Sequence, residues 1–309
     1  MAIQERLRNA LFITFPYRAP LRIEHFAVFT SGWANNIYAF DLIDSSDQTE
    51  ALVLKQFSGT AKAGKEARAL EALSQANYPV PRVLLAQDDL IVMERFAGAP
   101  LWTHYEAADS SQRDHLTTLF VRLLLDLQAL DPRPLVPEGD NGVLWDATQE
   151  GEIARLREDL RSEFSPVIDW LDAHRVRCTR PVISHRDYHP WNVLLDDAGR
   201  AVVLDWDWEI ADARFDLAWM LTLMQRSGFA DFSTAALAAY ERLSGQAVED
   251  LAYFEVLTTT RWWMNVSRSL QSSANLREGA ADEFRAFLEK PILEARRLIA
   301  DHTGISLSP

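Results

Sequence analysis

Between Val182 and Asp216 the chain reads VISHRDYHPWNVLLDDAGRAVVLDWDWEIADARFD, with Asn192 five residues after Asp187 and Asp205 thirteen beyond that. A carboxylate such as Asp187 can orient a hydroxyl group and take its proton. An amide and a second carboxylate, Asn192 and Asp205, are hard oxygen donors of the kind Mg²⁺ prefers to nitrogen or sulfur. Together these are the groups required to move a phosphoryl group from a nucleotide to a hydroxyl. Their setting suits that chemistry: a strand, a polar loop, a short hairpin, and then Asp205 at the end of the apolar run Ala201-Val202-Val203-Leu204.

The octapeptide His185-Arg186-Asp187-Tyr188-His189-Pro190-Trp191-Asn192 resembles the HxDxxxxN catalytic loop of the protein kinase-like superfamily. More narrowly, Asp-Tyr-His-Pro-Trp-Asn followed by Leu204-Asp205-Trp206 and Asp216-Leu217-Ala218 resembles the aminoglycoside phosphotransferase family, relatives of choline, homoserine and fructosamine kinases. The resemblance implies an α+β, protein kinase-like two-lobe fold. A small N-terminal antiparallel-sheet lobe, residues 1–95, would bind the nucleotide, and a larger, mainly helical lobe, residues 96–309, would carry catalysis and acceptor binding. It implies ATP or GTP and Mg²⁺ as cofactors, Asp187 as the catalytic base, and Asn192 and Asp205 as catalytic metal ligands. His185 would brace the loop beneath the metal-binding turn, and Asp216 would cap the next helix and tie the loop down. Arg186 matches protein kinases, where small-molecule relatives commonly carry glycine. His189 and Asp207 stay open between contact with substrate or metal and, respectively, a loop hydrogen bond and a surface ion pair.

Such a loop needs a frame. Residues 23–30, 37–43 and 51–57 read as strands of a small antiparallel sheet, 61–76 as a helix, and 82–86 and 90–95 as two further strands. Lys55 sits in the apolar run Leu52-Val53-Leu54-Lys55-Gln56-Phe57, where a buried lysine requires an anion. Nucleotide phosphates and Glu66 of the following helix would supply it, as for the strand lysine of the kinase-like fold; the alternative is an edge-strand lysine whose head reaches solvent. Glu71 points about 140° away from Glu66 around the helix, and Leu70 and Leu73 form its core stripe. By the resemblance, the hairpin Ser31-Gly32-Trp33-Ala34-Asn35-Asn36 covers the phosphates with backbone N–H groups of Ser31 and Gly32. It has one glycine where a protein kinase has three, and the plain reading is a turn serving geometry alone. Glu94-Arg95-Phe96-Ala97-Gly98 resembles the hinge between the lobes, with the Glu94 carbonyl and the Phe96 N–H contacting adenine and Met93 lining the pocket behind.

Beyond Gly98 the pattern turns helical. Leu116, Leu119, Phe120, Leu123, Leu127 and Leu130 recur at helical spacing up to Asp131-Pro132. Residues 150–176 read as one or two helices broken near Pro166, and 229–243, 248–270 and 281–302 as further helices. Trp262-Trp263, with Asn265 and Arg268, would either wall an acceptor pocket or serve helix packing. Ten residues separate Asp205 from Asp216, too few for an activation segment with a phosphosite. The expected acceptor is therefore a small-molecule hydroxyl. The alternatives are a kinase acting on a protein side chain and a nucleotide-binding regulator without turnover, the latter opposed by the complete set Lys55, Asp187 and Asp205.

A formal net charge of -14 over 309 residues argues against a nucleic-acid partner; the acidity serves solubility or attracts a cationic acceptor. Cys178 is the sole cysteine, so no internal disulfide forms and a reducing compartment is expected. The apolar patch Ala10-Leu11-Phe12-Ile13 falls far short of the roughly 20 residues that span a bilayer. No membrane partner and a cytoplasmic location are expected. The acceptor's identity and the oligomeric state are not written in the sequence.

Overall fold

The computed structural model describes residues 3–29, 36–57, 59–135, 147–158, 162–178, 180–272 and 281–307. The chain divides into two compact units, Met1–Ala99 with Leu194–Leu204, and Pro100–Val193 with Asp205–Pro309.

The first unit runs α1 (Ile3–Thr14), β1 (Arg22–Phe29), β2 (Asn36–Ile43), β3 (Thr49–Gln56), α2 (Thr60–Gln75), β4 (Val83–Gln87) and β5 (Leu90–Glu94). The strands pair antiparallel in the order β1-β2-β3-β5-β4. Period-two alternation decides the faces. Phe40 and Leu42 of β2 and Leu52 and Leu54 of β3 share a buried core with Leu7 and Leu11 of α1. Lys55 therefore falls on the opposite face, where α2 brings Glu66. β3 lies between β2 and β5, so the edge-strand alternative for Lys55 does not apply.

Past β5 the chain enters β6 (Ala99–Pro100), then α3 (Leu101–Ala107), α4 (Ser110–Ala129), α5 (Ala147–Glu158), α6 (Ser165–Ala173) and β7 (Pro181–Ser184). The hairpin β8 (Val193–Leu195) and β9 (Ala201–Val203) belongs for the most part to the first unit, and the Val203 N–H donates to the Pro79 carbonyl at 2.8 Å. The second unit resumes with β10 (Glu209–Asp212), α7 (Arg214–Arg226), α8 (Ala230–Ser244), α9 (Leu251–Ser272) and α10 (Ala281–Thr303). β10 pairs antiparallel with β7.

Helix starts follow local chemistry. α4 begins six residues before its leucine stripe because Asp109 and Gln112 form a reciprocal capping box, at 2.9 and 3.0 Å. The helical stretch is interrupted just before Pro166, as expected: α5 ends at Glu158 and α6 begins at Ser165, with Pro166 in its first turn, where its missing N–H costs nothing. α7 is buried on nearly every side, from Phe215 to Met224, and its Phe215 and Ala218 join Ile153, Val167, Phe254 and Leu257 in one core. Among the described residues no helix is long and apolar enough to cross a membrane.

Gly98 is fixed by close approach. A Cβ there would stand 2.5 Å from the Leu195 carbonyl oxygen and 2.7 Å from the Phe96 ring, too near for backbone to yield cheaply. Gly98→Ala is expected to destabilise the protein by about 1–3 kcal/mol, read as a lowered denaturation midpoint; an unchanged midpoint would contradict this packing.

Candidate active site

The loop after β7 is held from below by one carboxylate. Asp216, 1% exposed in the first turn of α7, accepts hydrogen bonds from Ser184 Oγ (2.8 Å), the His185 N–H (2.7 Å) and the Arg186 N–H (2.9 Å). It does not cap the helix, whose N-cap position is Ala213. The bonds matter because Arg186 has φ +72°, a left-handed conformation that glycine adopts at no cost and a bulky residue does not. The Arg186 side chain is anchored as well: Nη2 donates to Glu152 at 2.8 Å, and the guanidinium lies 3.8 Å from the Phe215 ring centroid.

Neighbouring side chains of the loop point into the protein. His185 is fully buried, its ring 4.3 Å from that of Trp206, and its Nδ1 accepts the Asp187 N–H at 3.3 Å. Tyr188 stacks on Phe120 and donates to the Phe120 carbonyl at 2.7 Å. Trp191 packs on Trp102.

The Asp187 carboxylate, by contrast, is 44% exposed. Its Oδ1 accepts from Trp219 Nε1 at 3.0 Å and lies 3.5 Å from His189 Nε2. Burial raises its pKa. The charge and hydrogen bond of His189, with the charges of His185 and Arg261, outweigh that and bring it down to about 2. Asn192 donates from Nδ2 to the Asp187 carbonyl at 3.0 Å, which leaves Oδ1 as its available ligand atom. Asp205, directly after the β9 run, is exposed and also adopts a left-handed conformation, φ +59°. Strained backbone of this kind gathers at functional sites. Among the described residues no three His, Cys, Asp or Glu side chains cluster as a metal site. An Mg²⁺ bound by one carboxylate, one amide and nucleotide phosphates needs no such cluster, and the oxygen donors of Asn192 and Asp205 fit that ion.

In the first unit, Lys55 and Glu66 are each 5% exposed, and Lys55 Nζ donates to both Glu66 oxygens at 2.8 Å. Losing either partner would strand a buried charge, at roughly 3–5 kcal/mol. Met93 is buried in β5, Glu94 ends that strand, and Phe96 follows. Ser31 and Gly32 lie outside the described residues.

The structure also brings in residues that sequence reasoning missed. Glu152 of α5 is buried and meets Arg186, Arg155 (2.7 Å) and Arg261 (3.3 Å), forming an ionic floor under the loop. Arg261 reaches Asp207 at 3.5 Å, so Asp207 makes a surface ion pair. His189 takes the loop contact with Asp187 and keeps a buried Nδ1 without a hydrogen-bond partner among the described residues. Trp263 packs edge-on against Phe164 in the core, whereas Trp262 lies over the guanidinium of Arg226, at 4.2 Å. Asn265 is exposed. Burial pushes the Arg226 guanidinium down to about 9, against the opposing charge of Asp187. The sequence signal for it is an arginine seven residues after Trp219, closing a helix that is apolar from Leu217 to Met224 but for Thr222.

A family model described as the phosphotransferase enzyme family matches residues 25–255. No curated protein sequence matches the chain. Among solved structures, it is similar to a Plasmodium vivax ethanolamine kinase, at 12% identity over 90% of this chain and 83% of that one, with TM-score 0.63. It is similar to macrolide 2'-phosphotransferase type I, at 18% identity over 93% and 98%, with TM-score 0.62. It is also similar to the GDP complex of wild-type aminoglycoside 2'-phosphotransferase-IIIa, at 14% identity over 96% and 99%, with TM-score 0.63. At these identities the likeness carries the fold, the α+β architecture of protein kinase-like phosphotransferases. With the family model spanning most of its length, the chain belongs to the phosphotransferase enzyme family.

Proposed function

We propose that the chain transfers the γ-phosphoryl group of ATP or GTP, with Mg²⁺, to a hydroxyl group of a small molecule. The observation that carries this reading is the loop: an exposed, ionised Asp187 steadied by Trp219 and His189, on a backbone tied to Asp216. A carboxylate with a pKa of about 2 is a weak net base, and this suits phosphoryl transfer, where the hydroxyl keeps its proton until late. Asp187 orients the hydroxyl. Its oxygen bonds to the γ-phosphorus, the bond from that phosphorus to the β,γ-bridging oxygen breaks, the nucleoside diphosphate departs, and the proton passes to Asp187.

Asn192 Oδ1 and Asp205 would hold the Mg²⁺, which supplies charge neutralisation at the phosphates when bound. Lys55, oriented by Glu66, takes the α- and β-phosphates. The Glu94 carbonyl and the Phe96 N–H meet the base with Met93 behind it, and Ser31 and Gly32 cover the phosphates. His185 and Asp216 are positioning residues. Residues 1–95 thus serve as the nucleotide lobe and 96–309 as the catalytic and acceptor lobe. GTP stands beside ATP because the aminoglycoside 2'-phosphotransferase-IIIa complex holds GDP. The short span from Asp205 to Asp216, taken up by β10 and the start of α7, favours a small acceptor over a regulated protein kinase. The same reading has the protein act in the cytoplasm without nucleic-acid or membrane partners.

Transfer of labelled γ-phosphate from Mg-nucleotide to a panel of hydroxyl compounds tests the proposal. Asp187→Asn should lower kcat by about 10²–10⁴-fold while Mg-nucleotide still raises the melting temperature; undiminished turnover in this variant would remove Asp187 from the mechanism. The electrostatics are tested separately by ¹³C carboxyl titration of labelled aspartate, with Asp187→Asn as the assignment control. The Asp187 signal is expected to titrate near pH 2, so its ionised form contributes stability that is fully present above the ordinary carboxylate range and is lost progressively as the pH falls from there through about 2. A midpoint above about 4 would be inconsistent with the His189 and Arg261 charges acting as described.

A further inference from the structure

Arg226 is a buried cation that the proposed reaction does not use. It ends α7, is 4% exposed, and has no hydrogen-bond partner for Nη1 or Nη2 among the described residues. Its guanidinium lies against two indoles, 4.2 Å from the ring centroid of Trp262 on α9 and 5.1 Å from that of Trp219 on its own helix. The guanidinium of Arg186, also buried beside the loop, donates from Nη2 to Glu152 and lacks a hydrogen-bond partner only at Nε. Leaving the four N–H donors of these two nitrogens unmet in a low-dielectric setting is costly unless something occupies them. The indole faces stabilise the positive charge from the sides and leave the in-plane donors unsatisfied.

The location is equally informative. Trp219, which carries Arg226 on one face, is the residue whose Nε1 holds Asp187 Oδ1 at 3.0 Å, and Asp187 acts electrostatically on Arg226. A molecule presenting its hydroxyl to Asp187 has its adjoining groups near this cation. An ammonium there would meet a buried like charge. A planar anion with two oxygens matches the guanidinium fork in both charge and shape.

Taking the proposed transfer reaction as given, we propose that Arg226 binds a carboxylate of the phosphate acceptor, so that the acceptor is a hydroxy acid rather than an amino alcohol or a polyamine. The overall charge of -14 does not oppose this: long-range attraction between exposed charges is screened beyond about 8–10 Å, whereas Arg226 acts in contact. The two tryptophans exclude water from the pair and give flat walls to the carbon skeleton between the carboxylate and the hydroxyl.

The test sets hydroxy acids (glycerate, 3-hydroxybutyrate, 4-hydroxybutyrate) each beside its own amide, with ethanolamine as the cationic control, in the Mg-ATP transfer assay and in a titration followed by tryptophan fluorescence. In the wild-type protein an acid should have a KM or Kd roughly 10- to 100-fold below that of its amide. Arg226→Met should erase that difference, and Arg226→Lys, which keeps the charge without the fork, should restore part of it. Melting curves confirm that both variants fold, and the acid-to-amide ratio in the wild type stands whether or not they do. Equal handling of acid and amide, or preference for ethanolamine, overturns the proposal, as does an Arg226→Met variant that weakens acids and amides alike. If no compound is phosphorylated, the fluorescence titration still decides: acid-selective binding lost in Arg226→Met upholds the anion site and removes the transfer reading, and no acid-selective binding removes the anion site.

Discussion

Two backbone N–H groups and a serine hydroxyl at the end of β7 converge on the carboxylate of Asp216, and the geometry of the loop follows from that convergence. Each hydrogen bond to a charged group contributes about 1.5–3 kcal/mol, and each buried donor left unmet costs a similar amount. The three bonds hold Arg186 in its left-handed conformation, which turns the chain so that His185 and Tyr188 go inward while the Asp187 carboxylate stays open to solvent. α7 can serve as the anchor because it is packed on nearly every side and cannot shift without opening the helical core. The constraint runs from helix packing to a carboxylate, from the carboxylate to a backbone turn, and from the turn to the presentation of one reactive oxygen.

The buried charges sort into two kinds. Lys55 with Glu66, and Glu152 with Arg155, Arg186 and Arg261, are sets in which desolvation is offset by short ionic contacts. They fix positions. Arg226 differs from them, set against aromatic faces with both terminal nitrogens unmet among the described residues. Arg186 and Arg296 each lack a partner at Nε alone, whereas Arg226 lacks one at both terminal nitrogens, and an acceptor held at the neighbouring Asp187 would supply the missing oxygens.

Much of this was legible in the chain. Alternating apolar residues define β2 and β3, and the position of Lys55 opposite Leu52 and Leu54 follows from period-two geometry once β3 is recognised. The loop residues His185 to Asn192 were readable because phosphoryl transfer needs few side-chain types and a fixed spacing. The partners were not. Glu152 and Arg261 lie far from the loop in sequence, and nothing local marks them as its floor. Trp262 and Trp263 are adjacent in the chain yet serve differently, one over Arg226 and the other in the core, because successive helical residues point about 100° apart. Asp216 was recognisable as a loop anchor, but its place within the first turn of α7, rather than at the cap, depends on where β10 hands over to the helix.

The central claim, that one carboxylate positions the loop which presents Asp187, is tested most directly by kcat of Asp216→Asn. The substitution keeps size but places an amide donor against backbone donors. With circular dichroism and nucleotide protection unchanged, kcat should fall by about 100-fold, the scale expected when a reacting group is misplaced by about an ångström. A kcat equal to that of the wild-type protein would contradict the account.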